Sequence, residues 1–388
     1  MRAITVNGKA AQWVGQGFPW VYPAEVTKGG AAPGAVVELR DGKGRSLGTA
    51  IADTGFLAAR VMRHDGGPLD AAWLAGVVSR ARALRRLVVD GDTNGYRLVH
   101  AENDGLPGIR VDRWARWAVV TLDSASLVQL VDPLIAVLSD AEDLDGVVVC
   151  HRRDHRDRPS QPPPHLAWGA APPEEVEVRE RGLQFGVRPL TGPDVGLFAD
   201  MRDVRRWLEP SWAGTRVLNL FAYTAAFSVS AGAHGAAETL SVDLSGPILE
   251  RARDNLQRNG LDPRVHALVE GDVFRVLDRL RRKGERFDRV VVDPPSFSRG
   301  EAVFSARRDW PRLVGACARV LCDGGWLVAA SNQGELSPKV FDGLLADGLR
   351  KAGRGGQLLL ATSAGPDFPA HTTFPEGRYL KVRVMAVA

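Results

Sequence analysis

The feature that most constrains the fold of this chain is a regular alternation of strand-like and helix-like segments that begins near residue 215. Short apolar runs are separated by amphipathic stretches with helical spacing, and one of these, PILERARDNLQRNG, ends on an Asn-Gly stop signal. This alternation predicts a doubly wound, mostly parallel sheet. Ligands bind at the carboxyl ends of the strands in such sheets, so the residues that end each strand are the first candidates for a site.

The predicted strands follow one another in order along the chain. They are TRVLNLF, ETLSVDLS, RVHALVEGD, FDRVVVDPP, GWLVAASNQ, GQLLLATSA and GRYLKVRVMAV. A helix, RRDWPRLVGACARVLCDGG, is predicted between the fourth and fifth strands. It would carry both Cys317 and Cys322, and core packing is the role expected for these two thiols.

Four successive strands finish with a polar or acidic side chain. Asn219 lies in VLNLFAYT, Asp243 closes LSVD, Asp272 follows LVEG and Asp293 closes VVVD. Because the carboxyl ends of parallel strands share one edge, we expect these four side chains to face one crevice. A single Asp in this position is more often the N-cap of the following helix, but three acids on consecutive strands favour a ligand site.

The spacing of these acids favours an adenosine-containing cofactor. Asp243 lies 24 positions after Asn219, which suits a carboxylate that accepts hydrogen bonds from both ribose hydroxyls. Asp272 would accept from an adenine amino group. The first loop, FAYTAAFS, lacks the G-x-G-x-x-G glycines that a dinucleotide pyrophosphate requires. The cofactor therefore need carry no phosphate, and S-adenosylmethionine (SAM) meets these conditions.

The fourth strand ends in the motif Asp293-Pro294-Pro295-Ser296-Phe297. The acid and the proline carbonyls offer hydrogen-bond acceptors, the prolines stiffen the backbone, and Phe297 offers a face on which a planar base can stack. A rigid strand-to-loop corner is the alternative interpretation. Together with the acids upstream, the motif favours a site that holds a base beside the cofactor.

The remainder of the chain predicts two smaller domains that precede this one. Residues 1–69 contain short strands and turns, with a hairpin at DGKG, and predict a small β-barrel. Residues 70–175 predict a small α+β middle domain that ends in a Pro/Arg-rich linker. The linker opens with HRRDHRDR, which is typical of a solvated loop or, alternatively, of a segment that contacts phosphates. Residues 176–388 then form the third domain.

Composition places further limits on the protein. The 388 residues carry a formal net charge of +4 and a sequence pI of about 9.1, a weak preference for an acidic partner such as nucleic acid. The three cysteines show no metal-ligand or disulfide spacing, so we expect no metal and a reducing cytoplasm. The N-terminus lacks the apolar core of a signal peptide, and no apolar run is long enough to span a bilayer.

Taken in order, these motifs resemble the class I SAM-dependent rRNA methyltransferases with an N-terminal PUA domain, the RlmI type, which methylate C5 of a cytidine in 23S rRNA. GQGFPWVYPAEV and PGAVVELRDGKGRSLGTAIAD resemble the PUA domain, and YRLVHAENDGLPGIRVDRW resembles the middle domain. GLFADMRDVRRWL, VLNLFAYTAAFSVSA, SVDLS, DVF, DPPSF and FPEGRYLKV match the catalytic domain in order. The resemblance covers nearly the whole chain and implies a Rossmann-like α/β domain with a seven-stranded, mostly parallel sheet.

The resemblance also implies a cofactor site and a partner. The predicted SAM-binding residues are Phe221, Tyr223, Thr224, Asp243, Asp272 and Asp293, with Asp200 and Arg202 from FADMR beside them and Asn219 added from the strand-end pattern. The predicted catalytic set is Asp293, Pro294, Pro295, Phe297 and Asn332. A PUA domain implies an RNA partner, which would be 23S rRNA or a large-subunit precursor, and a homodimer is kept as a candidate assembly.

Two positions depart from the family's pattern. The family usually has glycines after SYT, where this chain has Ala225 and Ala226, and each adds a methyl group where the cofactor's backbone comes close. Cytosine-C5 members read Ser-Cys-Ser where this chain reads SNQ, and that cysteine is their nucleophile. Asn332 cannot add to C6 of cytosine as a thiolate does. Ser-Asn here, with GLFADMR and DPPSFS, resembles the RlmK type, which methylates N7 of a guanosine.

Three hypotheses remain open from the sequence. The first is an RNA base methyltransferase that acts on large-subunit rRNA, at cytosine C5 by overall resemblance or at guanine N7 or another ring or amino nitrogen by its motifs. The second is an inactive RNA-binding protein that retains the fold. The third is a small-molecule or DNA methyltransferase, for which the PUA-like N-terminus would have no use.

Overall fold

The computed structural model describes residues 2–152, 162–192, 194–295, 305–334 and 336–388. The chain forms two compact units. The first comprises Met1–Arg181, Val187–Val195 and Pro366–Gly377, and the second comprises Gly182–Gly186, Gly196–Gly365 and Arg378–Ala388. The domain boundaries expected from the sequence, 1–69, 70–175 and 176–388, stay a prediction.

The first unit begins with a six-stranded sheet. Its elements are β1 (Arg2–Val6), α1 (Gly8–Gly15), β2 (Trp20–Val21), β3 (Val26–Lys28), β4 (Val36–Arg40), β5 (Ser46–Ala52) and β6 (Ala59–Arg63). The strand order is β2-β6-β5-β4-β1-β3. The DGKG hairpin is confirmed, since β4 and β5 pair antiparallel across it and the Asp41 carboxylate accepts from the backbone N–H groups of Lys43 and Arg45.

A second, five-stranded sheet follows in the same unit. Its elements are α2 (Ala71–Val88), β7 (Gly95–His100), β8 (Ile109–Trp114), β9 (Trp117–Leu122), α3 (Val131–Ala141), β10 (Gly146–His151) and β11 (His165–Gly169). The strand order is β11-β10-β9-β8-β7. β9 and β10 are parallel because α3 connects them as a crossover, while β7, β8 and β9 form an antiparallel meander. The predicted α+β arrangement of this segment is confirmed.

The two sheets of the first unit share core residues and a buried ion cluster. Ile51 and Met62 of the first sheet belong to the same apolar cluster as the buried faces of α2 and α3. Arg60 on β6 donates to Asp53 at 2.7 Å and to Glu102, which follows β7, at 3.1 Å. The Arg60 side chain is only 9% exposed, and its two partners are still more buried. Residues 1–69 are therefore tied to the sheet that follows by charge as well as by apolar contact.

The predicted Pro/Arg-rich linker is only partly described. Its opening residues 153–161, which hold most of the HRRDHRDR run, lie outside the described residues. The chain continues through β12 (Val176–Glu180) and β13 (Leu183–Val187).

The second unit contains the doubly wound sheet expected from the alternating pattern. Its strands are β14 (Arg216–Leu220), β15 (Glu238–Asp243), β16 (His266–Glu270), β17 (Phe287–Val292), β18 (Leu321–Ser331), β19 (Gly356–Thr362) and β20 (Lys381–Val387). The strand order is β16-β15-β14-β17-β18-β20-β19. β14 to β18 pair in parallel, and β20 runs antiparallel to both β18 and β19. The prediction of a seven-stranded, mostly parallel sheet is confirmed.

Within the described residues of this unit, six helices connect or flank these strands. They are α4 (Arg202–Leu208), α5 (Ala226–Ala233), α6 (Gly246–Arg258), α7 (Val273–Arg282), α8 (Ala306–Ala318) and α9 (Pro338–Lys351). Their apolar faces pack on the sheet because both faces of a parallel sheet must be covered. Short 3₁₀ turns also occur, at Pro23–Glu25, Ala101–Asp104, Ala125–Leu130, Pro189–Thr191, Ala199–Met201, Glu209–Ser211 and Pro375–Gly377.

One element differs from the sequence-based expectation. Cys322 was expected on the same helix as Cys317, but α8 ends at Ala318 and Cys322 lies near the beginning of β18. The reason is that the backbone N–H of Val320 bonds to the carbonyl of Cys317, which closes the helix before the strand begins. Across the described ranges, no helix combines the length and the apolar character that crossing a bilayer would take.

Candidate active site

The carboxyl ends of the five parallel strands form one edge of the second unit's sheet. The strand registers pair Leu220 with Val242 and with Val292, and Val292 with Ala329, so the strand ends lie level with one another. This register brings Phe221, Asp243, Asp293 and Asn332, which follow or end neighbouring strands, to the same edge. Of the four side chains expected to face one crevice, Asp243 and Asp293 lie at this edge, Asn219 is one residue before the end of β14, and Asp272 is two residues after the end of β16. That all four line one ligand site stays a prediction.

The loop after β14 has an unusual backbone. Phe221, Tyr223 and Ala225 have φ values of 56°, 49° and 61°, which lie in the left-handed region that non-glycine residues rarely adopt. Each such residue costs of order 1–3 kcal/mol and persists only where the surroundings hold it. Three of them in five residues indicate a loop shaped for something other than its own stability. Strain of this kind clusters at ligand sites.

Asp243 is one of the groups that hold this loop. Its Oδ2 accepts from the backbone N–H of Tyr223 at 2.9 Å, and its Oδ1 accepts from the backbone N–H of Ser245 at 3.1 Å. A carboxylate has about four acceptor positions. Two of them therefore remain on a half-buried side chain at the strand end, which is enough for two hydroxyl donors.

Thr224 and Ala225 are turned toward the protein. The Thr224 hydroxyl donates to the carbonyl of Gly196 at 2.6 Å. The methyl group of Ala225 is fully buried in a small apolar cluster with Leu249 and Ala252 of α6. The expectation that the Ala225 methyl would meet a cofactor is therefore wrong, because the left-handed backbone points that methyl at α6. Ala226, the first residue of α5, is half-buried.

Asn219 and Asp272 have structural partners. The Asn219 side chain is buried and donates to the hydroxyl of Ser228 on α5 at 3.1 Å, so it braces the strand against the helix. Asp272 is the N-cap of α7, since its Oδ1 accepts from the backbone N–H of Arg275 at 2.9 Å. The cap uses only Oδ1 of this carboxylate, so Oδ2 is not needed for capping.

Asp293 lies next to a second acid. Burial, and then the negative charge of Asp200, raise the pKa of Asp293 to about 7, with Arg205 opposing the shift. Asp200 in turn accepts from the hydroxyl of Tyr379 at 2.6 Å. A carboxyl group with a pKa near 7 can hold or accept a proton at physiological pH, which is the property of a general base or acid.

Arg202 and Arg205 on α4 are both buried. Arg205 donates to the carbonyl of Phe198 at 3.0 Å, and its guanidinium lies over the ring of Phe227. The Phe198 ring contacts Tyr223 with 5.1 Å between centroids. The predicted FADMR segment is thus connected to the loop after β14 through an aromatic contact.

The remaining predicted residues lie after β17 and β18. Pro294 is buried and Pro295 is exposed, while Ser296 and Phe297 lie outside the described residues. Asn332 follows the last residue of β18. The next residue is held by Lys381 of β20, whose Nζ donates to the carbonyl of Gln333 at 2.6 Å.

Neither of the second unit's two cysteines, Cys317 and Cys322, lies at this edge of the sheet. Cys317 is buried in α8 among apolar residues, and that burial raises the pKa of its thiol. Cys322 lies at the other end of β18 from Ser331, nine residues away or about 30 Å at strand rise. Cys150 is buried on β10 of the first unit. The second unit therefore presents no thiol where Asn332 lies.

Sequence reasoning missed three residues of this region. Tyr379 and Lys381 lie in the motif FPEGRYLKV, but nothing in that motif marks them as site residues. Only the strand register shows that Lys381 is paired with Ser331 across β18 and β20, and only the folded structure brings Tyr379 to Asp200. Leu244, the residue after Asp243, is 67% exposed. An apolar side chain exposed next to a predicted ribose contact is a signal that the sequence contained.

Two features define the class of this protein. The antiparallel strand β20 is inserted between β18 and the edge strand β19, and an acid, Asp243, ends β15, the second strand of the sheet along the chain. These are the features of a class I SAM-dependent methyltransferase. Comparison with known proteins agrees with this class. Residues 144–371 match the family model described as S-adenosylmethionine-dependent methyltransferase, and residues 4–62 match that of a PUA-like domain. The chain belongs to the S-adenosylmethionine-dependent methyltransferase family, in the branch in which a PUA-like domain precedes the catalytic domain.

Relatives of full length are similar to the chain. The Ribosomal RNA large subunit methyltransferase of Deinococcus radiodurans is 33% identical over 97% of this chain and 95% of its own length. The Ribosomal RNA large subunit methyltransferase I of Shewanella amazonensis is 34% identical over 95% of each chain. The crystal structure of SMU.776 complexed with SAH covers 100% of both chains, with a TM-score of 0.90 and 25% identity.

The residues present fit SAM as the cofactor. Asp243 keeps acceptor positions for two ribose hydroxyls, and the loop from Phe221 to Ala225 offers strained backbone rather than the glycine-rich turn that phosphates need. The exposed apolar side chain of Leu244 adjoins Asp243 and suits a planar base.

Proposed function

We propose that this enzyme transfers a methyl group from SAM to a nitrogen atom of a base in large-subunit ribosomal RNA. The names of the full-length relatives support the rRNA substrate, and the PUA-like domain supports an RNA partner. The observation that carries the choice of nitrogen is the Ser331–Asn332 pair at the end of β18, at an edge where the unit has no thiol.

The cofactor would be held by groups on three neighbouring strand ends. Asp243 would accept from the ribose hydroxyls, and the free oxygen of Asp272 would accept from the adenine amino group. Leu244 would pack on the adenine ring, and the backbone of Phe221 to Ala225 would line the methionine end. When bound, SAM would supply a methyl group on a positively charged sulfur. A nucleophile that attacks this methyl carbon displaces the sulfur as a neutral thioether.

The acceptor chemistry follows from what the chain has and lacks. Methylation at cytosine C5 needs a nucleophile that adds to C6, and an asparagine amide cannot do this. A ring nitrogen such as guanine N7 has its own lone pair and needs no covalent activation. The protein's task is then to orient the base and exclude water, which positioning alone can accomplish.

Asp293 fits this task in either protonation state. Its pKa of about 7, raised by burial and by Asp200, leaves it poised between a hydrogen-bond acceptor and a donor near neutral pH. As a carboxylate, it can accept from an amino N–H and take up that proton. As the neutral acid, it can donate to a base carbonyl. Tyr379 fixes Asp200 and so maintains the charge that tunes Asp293.

Cytosine C5 remains the second candidate, because the resemblance to the RlmI type extends over nearly the whole chain. An inactive RNA-binding protein is the third. Incubation of the purified enzyme and labelled SAM with unmodified large-subunit rRNA, followed by mass-spectrometric mapping of nucleosides, distinguishes them. We expect a methyl group on a guanine or amino nitrogen. A 5-methylcytidine product would overturn the choice of atom, and no label in any RNA despite SAM binding would favour the inactive protein.

Matched arms of this experiment test the kind of nucleic acid that is methylated and the role of Asp293. Duplex DNA of similar length should receive no label if RNA is the substrate. Asp293→Ala should lower methyl transfer more than it lowers SAM affinity. An rRNA substrate implies work in the cytoplasm, where ribosomes assemble. A homodimer remains a proposal, and sedimentation at working concentration tests it.

A further inference from the structure

The helix that follows the third strand of the sheet, α7, divides sharply into two faces. Val273, Val276, Leu277 and Leu280 are buried in the main apolar cluster of the second unit. The opposite face carries Arg275, Arg279 and Lys283 at steps of four residues, and all three side chains are exposed. Arg286, also exposed, follows after the turn at Gly284. We call Arg275, Arg279, Lys283 and Arg286 the α7 basic face.

The neighbouring acids do not neutralise this face. Asp278 pairs with Arg281 and Arg282, and Glu285 pairs with Arg216. Within the part of the chain that the structure describes, none of the four cations of the α7 basic face forms an ion pair. The helix thus contains two kinds of arginine. Arg281 and Arg282 share the carboxylate of Asp278, whereas Arg275 and Arg279 have no acidic partner among the described residues.

This arrangement costs the helix stability. Like charges four residues apart on a helix repel each other. Arg275 lies in the first turn, where the positive end of the helix dipole disfavours a cation. Arg279 and Lys283 lie nearer the C-terminal, negative end of the helix dipole. Cations stabilise that end of a helix, so their presence needs no further explanation. An uncompensated cation at the wrong end of the dipole indicates that the charge has a use outside the helix.

The position of the α7 basic face relates it to the candidate active site. β16 ends at Glu270, and α7 begins two residues after it, with Asp272 as its N-cap. The first turn therefore lies at the same edge of the sheet as Asp243. Arg275 to Lys283 then span about 12 Å along the helix axis, away from that edge. The cations form a path that starts beside the crevice and leads outward.

We propose that the α7 basic face binds the phosphate backbone of the substrate RNA strand as it leaves the crevice, an inference that rests on the proposed function. Arginine and lysine side chains at successive helical turns suit successive phosphates, and such contacts position a strand without reading its bases. The face therefore contributes affinity and register, and the base pocket at Asp293 supplies specificity.

The test compares two double variants that remove the same charge from the same helix. Arg275→Gln/Arg279→Gln removes two cations without an ion pair among the described residues, and Arg281→Gln/Arg282→Gln removes the two cations that share the carboxylate of Asp278. Affinity of the full chain for unmodified large-subunit rRNA is measured from about 50 to 200 mM salt, because each phosphate contact contributes about 0.7–0.9 to the slope of log K against log salt.

We expect the Arg275/Arg279 variant to bind several-fold more weakly at low salt, with a slope shallower by about 1.5. The Arg281/Arg282 variant should keep a slope close to wild type. SAM affinity should not fall in either variant. Thermal stability should not fall in the Arg275/Arg279 variant and should fall only slightly in the Arg281/Arg282 variant, which loses the two pairs with Asp278. If the slope of log K against log salt were the same in the two variants, the proposal that the α7 basic face binds the RNA backbone would be wrong. Failure of the wild-type chain to bind or methylate rRNA would instead overturn the proposed function itself.

Discussion

The Asp243 carboxylate accepts a hydrogen bond from the backbone N–H of Tyr223 at 2.9 Å, and this bond joins the end of β15 to the strained loop after β14. Tyr223 is one of three loop residues with positive φ. The acid expected to bind the cofactor therefore also holds the loop that would surround it. Loss of the acid should affect both the ribose contact and the shape of the loop.

Asp243→Ala should weaken SAM binding by about tenfold to a hundredfold, because hydrogen bonds to a charged group contribute about 1.5–3 kcal/mol. Asp243→Asn, which retains one acceptor oxygen, should lie between this variant and wild type. Isothermal calorimetry gives the affinities. Asp254→Ala, on the exposed side of α6, is the matched control and should bind normally. Wild-type affinity in Asp243→Ala would remove this residue from the cofactor site.

Asp272 should prove to have two roles, since it caps α7 through one oxygen and is expected to contact adenine through the other. Asp272→Ala should lower the stability of the second unit by about 1 kcal/mol. Asp272→Ser should restore the cap but still bind SAM several-fold more weakly, because serine has a single side-chain oxygen, which the cap uses, and lacks the second carboxylate oxygen expected to contact adenine. Calorimetry and thermal unfolding of both variants separate the roles. A serine variant with normal affinity would show that Asp272 only caps the helix.

The sheet of the second unit was predictable from the sequence because buried parallel strands read as apolar runs and their connections as amphipathic helices. Side-chain direction was less predictable. Asn219 and Asp243 both occur at strand ends, yet only the backbone shows that Asn219 turns inward to Ser228. Ala225 was expected to face a ligand because its left-handed backbone has no sequence signal outside glycine. Tyr379 reaches Asp200 from 179 residues away, which local patterns cannot reveal.

The stability of the second unit should fall as pH rises because of Asp293. Its pKa is about 7 in the folded chain against an ordinary 3.8, so the folded state binds the proton more tightly than the unfolded state. This stabilisation is complete below pH 3.8 and is lost as the pH approaches and passes 7. Asp293→Asn should remove this dependence and raise the melting temperature at pH 8. The difference would be at most about 4 kcal/mol, since one pKa unit corresponds to about 1.36 kcal/mol.

Melting curves of wild type and Asp293→Asn between about pH 5 and 8 provide the measurement. Asp254→Asn is the control, because that side chain is exposed. Parallel pH profiles for wild type and Asp293→Asn would mean that Asp293 ionises normally.

Arg60→Ala should destabilise the first unit strongly. It would leave Asp53 and Glu102 buried without their shared cation, and removal of one partner from a buried ion cluster costs about 3–5 kcal/mol. Arg63→Ala on the same strand is the control, because its partner Asp65 is exposed and such pairs contribute about 1 kcal/mol or less. Hydrogen exchange across β5 to β8 localises the effect. Similar losses in the two variants would contradict the importance of the buried cluster.

The enzyme should form no covalent adduct with RNA. A cysteine-dependent C5 methyltransferase is trapped by RNA containing 5-fluorocytidine, because the substituent at C5 cannot leave as a proton. Here Asn332, directly after β18, occupies the position of that cysteine, Cys322 lies at the other end of β18, and Cys317 is buried in α8. We expect no shifted band on denaturing gels. A variant with Cys150, Cys317 and Cys322 replaced by Ala should retain most of its methyl transfer at a temperature where it is folded, whereas Asp293→Ala should lose it. An adduct mapped to any of the three thiols would restore cytosine C5 as the target.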